Sequence, residues 1–174
     1  IEELKVKTVI IGKQFEISEN YKKFIEMVRE KNIKIYVVEA GQKINIENNL
    51  YFDILWPSSD NIIAENSINN NSLVCKLKYK NFSMLFTGDI EEIAEREIIE
   101  KYKNNSDILQ SKILKVAHHG SKTSSIEEFI KKVNPRISLV GVGEKNNFGH
   151  PSESVLKILQ DVKSKIYRTD LCGE

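Results

Sequence analysis

The spacing of apolar positions changes period several times along the chain. Residues 6–12, VKTVIIG, form a short apolar run closed by Gly12 and predict a buried strand. Ser18 then stands as a helix N-cap, with Tyr21 where a capping box would carry Glu. Phe24, Ile25 and Val28 follow at helical spacing. Residues 33–41 predict a second strand, and 50–57 alternate until Pro57 stops them. Residues 58–72 are polar and Asn-rich, hold no period, and read as the least ordered loop. Residues 73–89 predict a hairpin turning near Lys80 and Asn81. A helix over 90–103 has acidic residues early and Lys late, which suits its dipole. Strand 112–118, helix 125–133, strand 137–142, helix 152–161 and strand 164–168 complete the pattern. The order is strands first and then a βα alternation, an α/β architecture. No repeat, linker or low-complexity tract divides residues 1–174, so they read as a single domain.

Composition narrows this little. Forty per cent apolar, 29% charged and a net charge of +1 are ordinary for a globular protein, and neither demand nor exclude a nucleic-acid partner. Cys75 and Cys172 are far apart and show no CxxC spacing, so no disulfide framework or zinc ribbon is indicated; Cys75 reads as strand packing. No apolar run reaches the roughly 18 residues of a membrane span. The start, IEELKVKTVIIG, is acidic where a secretory leader is basic. It lacks Met and enters an apolar run almost at once, so it reads as a piece of something longer.

The candidate chemistry lies just past the ends of apolar runs. MLFTGD ends in Asp89, LKVAHHGS places His118 and His119 together, and NNFGHP carries His150; these are all three histidines of the chain. Polar groups at the carboxyl ends of strands in α/β proteins converge on one edge. A carboxylate with imidazoles is a donor set for Zn²⁺ or Mn²⁺. Each position alone also has a plain reading: Gly-Asp as a turn or helix cap, a His pair as surface residues, GHP as a loop.

Four blocks taken together, NNNSLVCKLKYKNFSMLFTGD, ILKVAHHGSKTSS, NNFGHPSESVLKIL and IYRTD, resemble the metallo-β-lactamase-like domain of the ComEC family, bacterial competence proteins for DNA internalisation. The resemblance runs from about Asn69 to Asp170 with the blocks in family order. It implies an αββα sandwich, truncated at its N-terminus, and a metal-dependent hydrolase acting on DNA. Asp89 falls on the family's bridging metal carboxylate, and His119, before Gly120, on its late metal-ligand histidine. His118 would orient its neighbour or a ligating carboxylate. His150 would serve as proton donor near a phosphate. Ser121, Lys145, Asn146, Asn147 and Asn71 would line the substrate path, Asn71 from the Asn-rich turn 69–71 that stands where the superfamily has a third-motif histidine.

The departures are as informative. The main His-x-His-x-Asp-His motif of the superfamily is absent, since no histidine precedes His118. Two divalent metals, zinc or manganese, are therefore expected in an intact domain, and weak or no metal binding by this chain alone. The implied partners are DNA and the membrane channel of a polytopic bacterial parent; self-association through an uncovered sheet edge is a further expectation. Two other readings stand beside this one: a stand-alone hydrolase of a small ester or lactam, which a deep apolar pocket would favour, and a metal-free module that docks DNA or a partner. An open groove edged with Lys122, Lys145 and Arg168 would favour DNA as substrate.

Overall fold

The computed structural model describes residues 5–13 and 18–173; the acidic start at Glu2 and Glu3 lies outside them. A parallel pair, β1 (Thr8–Gly12) and β2 (Lys34–Val38), is bridged by α1 (Glu19–Glu30). Ser18 caps that helix, its hydroxyl accepting from the Tyr21 N–H at 3.2 Å. The main sheet has seven strands in sequence order: β3 (Lys43–Glu47), β4 (Leu50–Trp56), β5 (Val74–Tyr79), β6 (Phe82–Phe86), β7 (Ile113–Lys115), β8 (Ile137–Val140) and β9 (Lys165–Arg168). Pairing is antiparallel from β3 to β6 and parallel from β6 to β9. The parallel half is wound through α3 (Glu92–Lys101), α4 (Glu127–Val133) and α5 (Glu153–Asp161); two four-residue helices, α2 (Ser67–Asn70) and α6 (Thr169–Cys172), complete the set.

The core follows from strand alternation. Leu85, Leu114 and Val140 face one side of the sheet, where Ala94 and Ile98 of α3, Phe129 and Ile130 of α4, and Val155 and Leu159 of α5 bury them. Their neighbours Met84, Phe86, Ile113, Ile137 and Leu139 face the other side and are only half-buried. The architecture is mixed α/β.

Three expectations change. Strand β3 carries no signal strong enough to predict it: Lys43, Asn45 and Glu47 alternate with Ile44 and Ile46, and a tight turn with Asn49 at φ 63° joins it to β4. The 58–72 segment is not slack. Trp56 Nε1 donates to Asn70 O at 2.6 Å, and Asn71, fully buried, ties Ile63 and Ser67 together through its amide. Finally, the strand predicted over 112–118 ends at Lys115, and the two histidines sit in a tight turn, Ala117–Gly120, with φ of 46° and 56°.

Candidate functional site

The parallel half sends the ends of β6, β7 and β8 to the same edge of the sheet. After β6, Gly88 turns at φ 55°; a Cβ there would lie 2.7 Å from Ser72 Cβ, so glycine lets the 70–72 segment press against the turn. That segment holds the turn in place: Asp89 N–H donates to Ser72 Oγ at 3.2 Å and Glu91 N–H to Asn70 Oδ1 at 3.1 Å. After β7, the His118 N–H donates to Gly88 O at 3.1 Å, which locks the histidine turn onto the Asp89 turn. Gly120 closes it at φ 79°. A Cβ there would lie 2.6 Å from Pro151 Cβ, and Ser152 N–H donates to Gly120 O at 2.9 Å, so the 141–150 loop is drawn in as well.

Because the backbone leaves β geometry, His118 and His119 diverge within one turn rather than by strand alternation. His119 Nδ1 lies 2.5 Å from Gly141 O. A carbonyl only accepts, so Nδ1 carries the hydrogen and Nε2 is turned toward Asp89, 3.8 Å from Oδ1. Both side chains are half-exposed, so the gap between Nε2 and Oδ1 is open to solvent or to a cation. His118 turns the other way. Its Nδ1 is buried 3.3 Å from Glu91 Oε1, close enough for charge pairing; the angle is wrong for a hydrogen bond, and the atom makes none. The imidazole of His118 meets that of His150 edge to face, with ring centres 5.9 Å apart. Partial burial, then the neighbouring His118 and His119, holds the His150 imidazole below its ordinary pKa.

The structure therefore brings Asp89, His118, His119 and His150 together. The other candidate residues divide. Lys145 and Asn147 are exposed on the 141–150 loop. Asn146 braces that loop, donating to Gly143 O and His150 O and accepting from the His150 N–H. Ser121 is buried, with its hydroxyl 3.0 Å from Thr123 Oγ1. Asn71 is buried inside the 63–71 loop and presents nothing to solvent, so its placement is that of a strut. Of the groove residues, Lys122 is exposed, whereas the Arg168 guanidinium is held by Asp170 at 2.5 Å.

Several participants escape the sequence. Glu91 accepts from Asn66 Nδ2 at 2.8 Å and from Thr123 Oγ1 at 3.1 Å beside His118. Its signal was its position two residues after Asp89. Lys115 lies near Asp89, and burial pulls its ammonium below the usual lysine range, with the Asp89 charge opposing. Gly141 contributes only a carbonyl, which no residue type announces. Glu95, fully buried on α3, accepts from the Ser125 and Ile126 N–H groups at 2.6 and 2.8 Å and so anchors the end of the histidine loop where α4 begins.

As metal donors, Asp89 and His119 fit together: both are half-exposed, their donor atoms face one space, and the Gly141 carbonyl orients the imidazole as the outer partner of a ligating histidine does. Among the described residues no group of three or more His, Cys, Asp or Glu stands close enough to hold an ion.

No family model matches the chain. It is 33% identical over 169 residues to ComE operon protein 3 of Bacillus subtilis, a match covering 97% of this chain and 21% of that protein. Competence protein ComA of Neisseria gonorrhoeae is 34% identical over 122 residues, 70% of this chain and 17% of that protein. The chain is a relative of the competence proteins. Recombination protein 2 of Haemophilus influenzae is also similar, 32% identical over 125 residues, 72% of this chain and 15% of that protein. The chain spans about a fifth of the length of the longest-matching competence relative. Among its described residues no helix is long and apolar enough to cross a membrane.

Proposed function

We propose that this chain is the later part of a metal-dependent hydrolase domain of the metallo-β-lactamase type, within a competence protein, and that the domain hydrolyses phosphodiester bonds of DNA. The observation that carries the reading is the facing pair of Asp89 Oδ1 and His119 Nε2 at 3.8 Å, with the histidine's other nitrogen fixed by Gly141. Kinship with competence proteins supports DNA as substrate, and a membrane-embedded parent belongs to the same proposal.

Asp89 and His119 would hold the metal. When bound, two zinc or manganese ions would supply a hydroxide nucleophile and polarise the phosphoryl oxygen. Under this reading the remaining ligands would come from elsewhere in the protein. His118, whose ring meets that of His150 edge to face, would help to hold the cluster in place. His150, whose pKa is lowered by partial burial and then by the neighbouring histidines, would when protonated give its proton readily to the leaving oxygen. Lys145 and Lys122, both exposed, offer charge to the backbone phosphates.

The test is calorimetric titration with Zn²⁺ and Mn²⁺ alongside a single-stranded DNA cleavage assay. The 174-residue chain alone should bind metal weakly and cut nothing, whereas the competence protein containing it should cut in a chelator-sensitive way that Asp89→Ala abolishes. Tight binding of two ions by the chain alone would refute the need for further ligands. Cleavage indifferent to Asp89→Ala would refute the site.

A further inference from the structure

Phe148 is the most solvent-exposed large apolar side chain among the described residues, at 82%. A lone exposed ring is commonplace on protein surfaces, but this one is held in a particular way. Its plane lies 19° from that of His150 with ring centres 5.8 Å apart, so one face is stacked and the other is open. His150 in turn meets His118, so three rings run inward from solvent to the candidate site. The loop that presents Phe148 is rigidly tied: Asn146 makes three hydrogen bonds across it, and Pro151 packs against Gly120 at its far end. Lys145 stands exposed three residues away.

We propose that Phe148 is a stacking platform for an unpaired nucleobase, which holds single-stranded DNA with its backbone at the histidine cluster. This deepens the proposed function and rests on its assignment of DNA as substrate. Every base has a π-face, so such a platform binds without reading sequence, and it needs a base that is free of a duplex partner. The exposed lysine supplies phosphate attraction, while the ring distinguishes a base-bearing strand from a bare polyanion.

The experiment uses the chain itself in chelator at low salt, so that binding is read without hydrolysis. Fluorescence serves well because Trp56, the single tryptophan, is fully buried; Phe148→Trp then places a reporter on the loop. Oligothymidylate should quench that reporter. An abasic oligomer of equal length and charge should not, and duplex DNA should do so only weakly. Measured by anisotropy, Phe148→Ala should weaken oligothymidylate binding roughly 5- to 100-fold, the usual range for losing one stacked base, and leave abasic binding unchanged. Leu171→Ala, at another exposed apolar position, should change neither. Equal oligothymidylate affinity for wild type and Phe148→Ala, equal affinity for abasic and base-bearing strands, or no binding at all would overturn the platform. The hydrolase reading stands or falls separately, on metal-dependent cleavage.

Discussion

The two halves of the main sheet carry similar burial but unlike chemistry. In the antiparallel half, β3 to β6, successive strand ends alternate between opposite edges, so the polar residues after each strand are scattered. In the parallel half, β6 to β9, every strand ends at one edge, and the turns after β6, β7 and β8 bring Asp89, the histidine pair and the 141–150 loop into contact. The antiparallel half contributes a brace: Trp56, at the end of β4, holds Asn70, which holds the Glu91 backbone. Pairing direction thus separates a supporting half from the half that carries the candidate site, the reacting half under the proposed function, and substitutions should separate them too.

The largest effect should come from the reacting half. In the competence protein containing this chain, Asp89→Ala should reduce metal-dependent cleavage to background, with the thermal midpoint barely moved, because the side chain is half-exposed and makes no structural hydrogen bond through its carboxylate. His119→Ala should follow closely, and His118→Ala should cost less, roughly 10–100-fold, the usual penalty for removing a partner that orients a ligand. Equal and complete loss at both histidines would show that His118 itself touches the reacting centre.

The supporting half should answer in stability. Trp56→Ala removes a fully buried indole, which costs about 3–5 kcal/mol. It also strips Asn70 O of its donor and so loosens the segment beneath Asp89. Denaturant unfolding gives the first effect; loss of activity under conditions where the variant is still folded gives the second. Unchanged activity in the folded variant would mean that the brace does not reach the site.

Sequence periodicity made the parallel half legible because β6, β7 and β8 are mostly apolar and each is followed by a helix. Asp89 and His119 come together from their places after β6 and β7, whereas His150 reaches His118 from the far end of the 141–150 loop, which no strand end announces. Two kinds of feature were not legible. Strand β3 alternates Lys, Asn and Glu with only two isoleucines, and its pairing with β4 gives it structure that its own composition does not announce. The site's backbone contacts were equally hidden: the Gly141 carbonyl and the left-handed turn at His118 and His119 depend on how loops pack, as does the burial of Asn71. The Asn-rich segment looked irregular because its asparagines satisfy backbone groups at long range, which leaves no periodic trace.

Glu95 sits on α3 in the parallel half, away from the candidate ligands, and its pH response should be intermediate in size. Burial raises its carboxyl from the ordinary 4.5 to about 7, against the opposing Ile126 and Ser125 N–H groups, with Glu92 raising and Arg96 lowering it. The folded state thus keeps the proton to higher pH than the unfolded chain does. Its contribution is fully present below about pH 4.5 and is lost as pH rises through about 7. The change is at most roughly 3.5 kcal/mol, at about 1.4 kcal/mol per unit. Unfolding of wild type and Glu95→Gln at pH 5 and pH 8 should show the stability difference shifting in favour of the variant at the higher pH. A difference independent of pH would mean that Glu95 does not titrate in this window.

The smallest effect tests whether burial, and not merely charge, distinguishes the faces of α3. One residue on from Glu95, Arg96 donates to Glu92 Oε1 at 2.7 Å, with both side chains more than half exposed. Exposed pairs at this helical spacing contribute about 0.3–0.5 kcal/mol, and salt screens them. Arg96→Ala should therefore lower stability by about that much at low ionic strength and by less in molar salt, with cleavage unaffected. It should also remove a charge that lowers the Glu95 pKa, and so move the Glu95 transition slightly upward. A loss well above 1 kcal/mol would mean that the arginine's stem packs against the helix and that the exposed face of α3 contributes to the core more than its exposure indicates.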